Sequence, residues 1–356
     1  MKNSNLSPGW QKMKLGDALD LKYGFGLPEK ERTSGDFPVY GSSGVVGWHN
    51  KLGVNSEGLI VGRKGNVGSV FYSNKPFYPI DTVYYIDSLK KGGNLKFFYY
   101  LLKKIPFKRI SSDVGVPGLN RDLAYSLEIN IPTNPDEQKR IALILSPFDD
   151  KIELNNKIAQ TLEKMANLIF KEWFVKSVKS ELKMRNGKIK DMAFVKTGNR
   201  PGQLTQKKEK EYTIPIYGAR ELMGYTNKSL YNKKIIITGR VGTIGEVYLV
   251  DGLSWPSDNA LIAYPKDDNY FYLLYFLLKR INYLSLNRGS SQPLIAQSDI
   301  ENYPIDLPDE TKIKEFNIIV SKLFLLKNNK ENENQKLAQM RDLLLPKLMK
   351  GEIRIQ

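Results

Sequence analysis

Two glycine-spaced segments hold the residues of this sequence best suited to contacting a phosphate group. The first reads GRKGNVG at 62–68 and the second reads GRVGTIG at 239–245. Backbone N–H groups of such loops can surround a phosphate, and Arg63, Lys64 and Arg240 would supply positive charge. The β-branched residues on both sides favour a tight hairpin, in which glycine supplies the positive φ that the turn needs. The hairpin interpretation is also compatible with an arginine that faces a nucleic acid.

Polar and aromatic residues on neighbouring turns offer groups that stack on bases or bond to base edges. Tyr40 and Ser42 follow one predicted strand, and Tyr217 and Arg220 follow another. Hydroxyl, amide and guanidinium groups can read bases, although ordinary surface turns have a similar composition. The nucleic-acid contact candidates are Tyr40, Ser42, Ser43, Arg63, Lys64, Asn66, Tyr217, Arg220, Arg240, Thr243, Ser291 and Gln292.

Several enzyme classes lack their residues in this chain. The sequence contains no cysteine and one histidine, His49, which excludes thiol nucleophiles, disulfides and zinc sites of the Cys/His kind. No serine or carboxylate partner for His49 is identifiable, so we expect a surface or hydrogen-bonded side chain. The segment PDEQK at 135–139 superficially resembles a nuclease motif, but consecutive acidic residues favour a helix N-terminus. We predict no catalytic residue and no metal site.

Charge and hydropathy indicate the kind of partner. The 356 residues carry a formal net charge of +16, and mean hydropathy is −0.40. Because each neutralised phosphate releases counterions, this excess favours a polyanion as partner, and a generally lysine-rich proteome is the alternative explanation. No apolar run approaches the ~20 residues of a membrane span, so we expect a cytoplasmic protein.

The sequence repeats itself at an offset of 177 residues. FPVYG at 37–41 corresponds to IPIYG at 214–218, and the two glycine segments keep the same offset. PDE recurs at 135–137 and 308–310 with a small drift. A period this long indicates a duplicated domain rather than a solenoid, and it predicts an internal pseudo-twofold.

Each half divides into a mixed α/β region and a helical region. Short β-rich runs bounded by Gly, Pro, Asn and Ser precede an apolar stripe at helical spacing. Proline at 147 behind Ser146 predicts that one short helix ends there and that a longer one spans Asp149 to Trp173. The predicted segments are an α/β domain at 1–134, a helical spacer at 135–185, a second α/β domain at 186–307 and a second spacer at 308–356.

The helical stripes are apolar enough to require a packing surface. We expect the helices to pack on each other as an antiparallel, coiled-coil-like pair or to dock a partner. The stripe residues predicted for this role are Ile144, Phe148, Ile158, Leu162, Met165, Ile169, Phe316, Ile319, Leu323, Leu337, Met340 and Leu344.

The order and duplication of these motifs resemble the specificity subunit of a type I restriction-modification system. The resemblance covers nearly the whole chain and rests on LGD at 15–17, FPVYG at 37–41, the glycine segment at 62–68 and IPTNPDEQKRIA at 131–142. The second half departs from this pattern: it has Glu310-Thr311 in place of Glu137-Gln138, and SQPLI at 291–295 replaces GVPGL at 115–119.

This resemblance implies two target-recognition domains that each read one half of a split double-stranded DNA sequence. It also implies two methyltransferase subunits docked on the helices and restriction subunits that join the assembly. S-adenosylmethionine, ATP and Mg²⁺ would then belong to those partners, and this chain would hold no cofactor. A non-catalytic nucleic-acid scaffold of another system and a self-contained enzyme are the alternative interpretations.

Overall fold

The computed structural model describes residues 7–112, 118–176 and 185–353. The chain forms two compact units: unit 1 comprises residues 1–155 with 332–356, and unit 2 comprises residues 156–331. Residues 115–117 of the predicted GVPGL segment lie outside the described residues. Among the described residues, none of the helices combines the length and the apolar composition of a membrane-spanning segment.

Unit 1 begins with short strands and helices and continues into a long helix. These elements are, in chain order, β1 (Trp10–Lys14), α1 (Leu15–Ala18), β2 (Lys22–Tyr23), β3 (Phe37–Gly41), β4 (Gly44–His49), β5 (Gly58–Gly62), β6 (Val70–Ser73), β7 (Tyr78–Pro79), β8 (Val83–Ile86), α2 (Leu95–Lys104), β9 (Ser111–Ser112), β10 (Gly118–Leu119), α3 (Arg121–Ser126), β11 (Glu128–Pro132) and α4 (Pro135–Lys171).

Two small sheets carry the loops of unit 1. One has the strand order β2-β8-β5-β6 and is antiparallel, and the other has the order β4-β3-β7 with β3 and β7 parallel. Alternate residues of β5 point to opposite faces: Leu59 and Val61 join the main core with α2, whereas Ile60 joins a smaller cluster with Phe77 and Val83. The fully apolar strand is therefore buried on both faces.

Unit 2 repeats this arrangement after α4. Its elements and the second long helix are β12 (Arg185–Lys188), α5 (Ile189–Met192), β13 (Ala193–Thr197), β14 (Ile214–Tyr217), β15 (Leu222–Thr226), β16 (Tyr231–Asn232), β17 (Ile235–Gly239), β18 (Val247–Val250), β19 (Leu253–Pro256), β20 (Ala260–Pro265), α6 (Phe271–Arg280), α7 (Gln297–Glu301), β21 (Pro304–Leu307) and α8 (Glu310–Leu348). The sheet orders are β13-β20-β17-β18 and β15-β14-β19-β16, with β14 and β19 parallel. The duplicated mixed α/β architecture is confirmed.

The acidic segments at both helix starts have the predicted structural role. The side chain of Asn134 accepts a hydrogen bond from the backbone N–H of Asp136 at 2.9 Å, and Asp309 accepts one from Thr311 at 3.0 Å. These side chains satisfy backbone donors that lack an intrahelical partner. The helix prediction for the acidic segments is confirmed.

The predicted break at Pro147 is wrong, because α4 is continuous for 37 residues with Pro147 inside it. Proline removes the donor to the carbonyl four residues earlier, that of Leu143. Both residues are exposed, whereas Leu145 and Ser146 are buried, so the helix keeps its packing on one side and loses a single bond on the other. Pro346 likewise lies inside α8, which continues to Leu348.

Helices α4 and α8 pack antiparallel within each unit. In unit 1, Asp149 pairs with Arg341, and Asn155 Nδ2 donates a hydrogen bond to Asn334 Oδ1 at 2.9 Å. In unit 2 the two helices again run in opposite directions, because residue numbers rise along α4 as those of the contacted residues fall along α8. Glu163 contacts Lys327 at 2.9 Å, and Phe170 contacts Phe316 at a centroid distance of 6.2 Å.

Candidate nucleic-acid interface

Residues 62–68 form the loop of an antiparallel hairpin between β5 and β6, as predicted. Gly65 and Gly68 have φ of 72° and 77°, a region that favours glycine. A Cβ on Gly62 would lie 2.1 Å from the carbonyl oxygen of Asn66, so no other residue fits there without a shift of the loop. Residues 239–245 form the equivalent loop between β17 and β18.

The backbone donors of the first glycine loop are directed at the protein itself. Gly62 and Gly68 donate to Ser69 and Gly62 at 2.8 Å, and Arg63 and Lys64 both donate to Thr82 at 2.9 and 3.1 Å. These N–H groups therefore do not form a phosphate cradle. Positive charge at this loop comes from the side chains instead.

An arginine holds the base of each glycine loop. Arg63 Nε donates to the carbonyl oxygen of Asp81 at 3.0 Å, and Arg240 Nη1 donates to the carbonyl oxygen of Asp258 at 3.3 Å. The acceptors are backbone carbonyls, so the contact positions the guanidinium without neutralising its charge. We call each of these contacts an arginine clasp.

Three predicted contact residues of unit 1 come together beside the clasp. Asn66 Nδ2 donates to Ser43 Oγ at 2.9 Å, and the Asn66 N–H donates to Ser42 Oγ at 3.3 Å. The groove beside these residues has a volume of about 520 Å³ and is lined by the glycine loop, the turn between β3 and β4, and residues 105–109. We call this assembly the unit 1 loop cluster, and Lys64 lies exposed on it.

The corresponding assembly of unit 2, the unit 2 loop cluster, is built from different side chains. The Gly242 N–H donates to the Pro293 carbonyl at 2.9 Å, which places the exposed Ser291 and Gln292 beside the loop. The remaining predicted residues there are Thr243, exposed on the loop, and Arg220, exposed on the turn that follows β14.

The two predicted tyrosines are packing residues at the base of their turns. Tyr40 contacts Phe77 edge-on at a centroid distance of 5.7 Å, and Tyr217 lies 6.1 Å from Tyr248. Burial raises the pKa of both Tyr40 and Tyr217 above the usual value. Their hydroxyl groups therefore stay protonated, and their rings support the turns.

His49 is buried, and its Nδ1 accepts a hydrogen bond from the Thr33 N–H at 3.1 Å. This agrees with the expectation of a hydrogen-bonded side chain.

Sequence patterns did not point to Tyr23 or Arg121, two residues of unit 1 that meet the predicted Arg63 at its surface. Tyr23 is 51% exposed, and the guanidinium carbons of Arg63 and Arg121 lie 5.3 and 5.0 Å from its ring centroid. These residues are distant in sequence and share no motif. Only the pairing of β2 with β8 and the position of α3 bring them together.

The predicted helix stripe is divided between packing and exposure. Phe316 is buried, Ile169 and Leu323 pack against the unit 2 core, and Leu344 packs against the unit 1 core. The remaining stripe residues are Phe148, Ile158, Leu162 and Leu337, which are partly buried, and Ile144, Met165, Ile319 and Met340, which are exposed.

A family model described as the type I restriction modification DNA specificity domain matches residues 8–164 and again residues 181–341. The two matches coincide with the repeat and cover most of the chain. The chain belongs to the family of type I restriction-modification specificity subunits.

Similar proteins agree with this assignment. This chain is 29% identical over 310 residues to the MjaIX specificity subunit of Methanocaldococcus jannaschii, and the match covers 75% of this chain and 71% of that protein. It is 26% identical over 287 residues to a putative type I specificity subunit of Mycoplasma pneumoniae, covering 74% and 82%. The crystal structure of a type I S subunit from M. genitalium has the same fold, with a TM-score of 0.62 at 20% identity over 98% and 97% of the two chains.

Proposed function

We propose that this specificity subunit reads a bipartite double-stranded DNA target in the cytoplasm, one part with each loop cluster. The observation that carries the proposal is the repeated arginine clasp surrounded by side chains that are not repeated. The clasp holds a positive charge in the same place in each unit, whereas Ser42, Ser43 and Asn66 in unit 1 have no identical counterparts in unit 2. A shared framework with different exposed groups suits two different half-sites.

The chain itself is non-catalytic in this proposal, and methyltransferase and restriction subunits supply the chemistry. S-adenosylmethionine, ATP and Mg²⁺ would bind to those partners. The chain would direct them by binding DNA, to which its net charge of +16 is complementary.

We place two methyltransferase subunits on the exposed apolar residues of α4 and α8. Four such residues recur at a constant offset of 175 residues: Leu143 with Ile318, Ile144 with Ile319, Met165 with Met340 and Leu168 with Leu343. All eight are at least 37% exposed. Because apolar residues exposed at equivalent positions form equivalent surfaces, this repetition supports two copies of one partner.

The long helices would set the distance between the two half-sites. At ~1.5 Å per residue, the 37 residues of α4 extend for ~55 Å. A rigid helix of this kind suits a fixed spacing between two readers on one duplex.

A domain exchange tests bipartite reading. Residues 12–134 are replaced by the equivalent region of a relative, and methylated sites are mapped in cells that also carry the partner subunits. We expect one half of the methylated sequence to change and the other half to persist. The proposal fails if both halves change or if neither does while the hybrid complex remains active.

A paired insertion tests the spacing role. Four residues are inserted beside Ile158 in α4 and four beside Lys330 in α8, next to the boundary between the units. The helices lengthen by ~6 Å, about two base pairs. Methylation mapping should show a longer spacer between unchanged half-sites, and changed base identities would contradict the proposal.

A further inference from the structure

An exposed aromatic ring in unit 1 lies close to two positive charges. Tyr23 is 51% exposed, and its ring centroid is 5.3 Å from the Arg63 guanidinium carbon and 5.0 Å from that of Arg121. The ring is supported by Tyr84, whose centroid is 5.1 Å away and whose hydroxyl donates to the Leu119 carbonyl at 3.1 Å.

These two charges have no carboxylate partner among the described residues. Arg63 donates to a neutral carbonyl, that of Asp81, and Arg121 forms no side-chain hydrogen bond or ion pair with a described residue. Two like charges on one ring repel each other, and an anion between or beside them removes that cost. The planar guanidinium group also presents paired donors that match the oxygens of a phosphodiester.

We propose that Arg121, with Arg63 and on the ring of Tyr23, binds the phosphodiester backbone of DNA in unit 1. This inference rests on the proposed function, since it assumes that unit 1 approaches a duplex. Arg63 is positioned by the arginine clasp and Arg121 by the start of α3. Tyr23 holds both guanidinium groups at the surface through cation–π contacts.

The equivalent place in unit 2 has a different composition. Thr197 occupies the strand position of Tyr23, since Tyr23 pairs with Tyr84 as Thr197 pairs with Leu261. Gln297, the first residue of α7, stands where Arg121 begins α3, and its Oε1 lies 3.4 Å from Thr197 Oγ1. Of the two arginines, only Arg63 therefore has an arginine counterpart in unit 2, namely Arg240. The contact of unit 2 with the DNA backbone then neutralises less phosphate charge than that of unit 1.

Reciprocal substitutions test this difference. The full chain, assembled with its partner subunits, is titrated by fluorescence anisotropy against a 30-bp duplex that contains the mapped target and against a mixed-sequence duplex, across a salt series. The variants are Arg121→Gln, Arg121→Lys and Gln297→Arg. Arg185→Gln is the matched control, because Arg185 is exposed and the substitution removes the same charge.

Arg121→Gln should reduce the slope of log affinity against log salt by about 0.9 and weaken binding about 10-fold on both duplexes. Arg121→Lys keeps the charge and should keep the slope. Gln297→Arg should steepen the slope by about 0.9, and Arg185→Gln should change it little, because Arg185 lies on β12 and belongs to neither loop cluster.

Three results would overturn the inference. The slope of Arg121→Gln could equal that of the wild type, both Arg121 variants could lose the slope alike, or the loss could be confined to the target duplex, which would make Arg121 a base reader. In each case wild-type binding remains, so the proposed function stands. A wild-type complex that binds neither duplex overturns both proposals.

Discussion

The two loop clusters have the same backbone conformation and differ in the side chains at their surface. Both have a glycine loop, an arginine clasp to an aspartate carbonyl and a following segment that pairs with the loop: Leu119 donates to the Arg63 carbonyl at 2.8 Å, and Ile295 donates to that of Arg240 at 2.9 Å. Lys64, in contrast, stands where unit 2 has Val241. Repeated residues thus specify the conformation of the loops, and unrepeated residues specify what the loops present.

A second difference concerns how each unit holds its helices. In unit 1, Asp149 receives hydrogen bonds from Tyr100, at 2.7 Å, and from Arg341. In unit 2, Glu163 receives bonds from Tyr275 at 3.1 Å and from two lysines, Lys279 at 2.8 Å and Lys327 at 2.9 Å. Both clusters place a carboxylate of α4 between a tyrosine and a cation of α8, but only unit 2 uses two cations.

The largest expected effect comes from disrupting the backbone conformation that the two glycine loops have in common. Gly62→Ala and Gly239→Ala would place a Cβ 2.1 and 1.7 Å from a carbonyl oxygen of the loop, so each should destabilise its unit by about 2–4 kcal/mol. Urea unfolding measures the loss. Gly202→Ala is the control, since a Cβ there meets nothing within 4 Å. A large loss in one unit alone would contradict the equivalence of the two loops.

The equivalence of the docking surfaces can be tested with double substitutions. Met165→Asp with Leu168→Asp, and Met340→Asp with Leu343→Asp, should each remove one of two methyltransferase copies, because a charge in a buried apolar interface is costly. We expect about 100-fold weaker binding at the altered surface, measured by mass photometry of the complex.

The thermal melt of the free chain controls for folding in this experiment. These side chains are 45–71% exposed, so the melting temperature should hold. If both copies remain bound, or if one double variant releases both, the assignment of equivalent surfaces is wrong.

The ion cluster of unit 2 should make its stability sensitive to acid. Burial alone would raise the pKa of Glu163, but hydrogen bonds from Lys279 and Lys327 outweigh it and lower the pKa from 4.5 to about 2. A lowered pKa stabilises the folded state above pH 4.5, and this contribution is lost as pH falls from 4.5 toward 2. Glu163→Gln should therefore cost about 1–2 kcal/mol at pH 7, after allowance for solvent screening.

Denaturant titrations of the wild type and of Glu163→Gln between pH 7 and pH 2 measure this effect. The difference between the two proteins should shrink below pH 4.5. Glu315→Gln, which removes an exposed ion pair with Lys312, should change stability far less. A difference that does not depend on pH would show that Glu163 acts through packing.

The smallest expected effect is an exchange of loop charge. Lys64→Val in unit 1 and Val241→Lys in unit 2 should change the salt slope of DNA binding by about 0.9 in opposite directions. The affinity should change about equally on target and mixed-sequence duplexes, by roughly 2- to 5-fold at moderate salt. A change restricted to the target duplex would indicate that Lys64 reads a base.

The sequence alone determined the duplicated framework of this protein. Glycine spacing predicted two hairpin loops, acidic residues behind Asn134 and around Asp309 predicted two helix starts, and the long period predicted two similar domains. Such signals are local or repeated, so they depend on backbone geometry that neighbouring residues specify themselves.

Tertiary structure alone decided which side chains meet and which face solvent. The helical period could not separate the buried Phe316 from the exposed Met340, because the helices pack on the domain cores as well as on each other. Helix α4 continues through Pro147 because the hydrogen bond lost there lies on the exposed side of the helix. Tyr23, Arg63 and Arg121 come together only through strand pairing and the placement of α3. Contacts between residues far apart in the chain depend on the packing of whole elements, which no local pattern records.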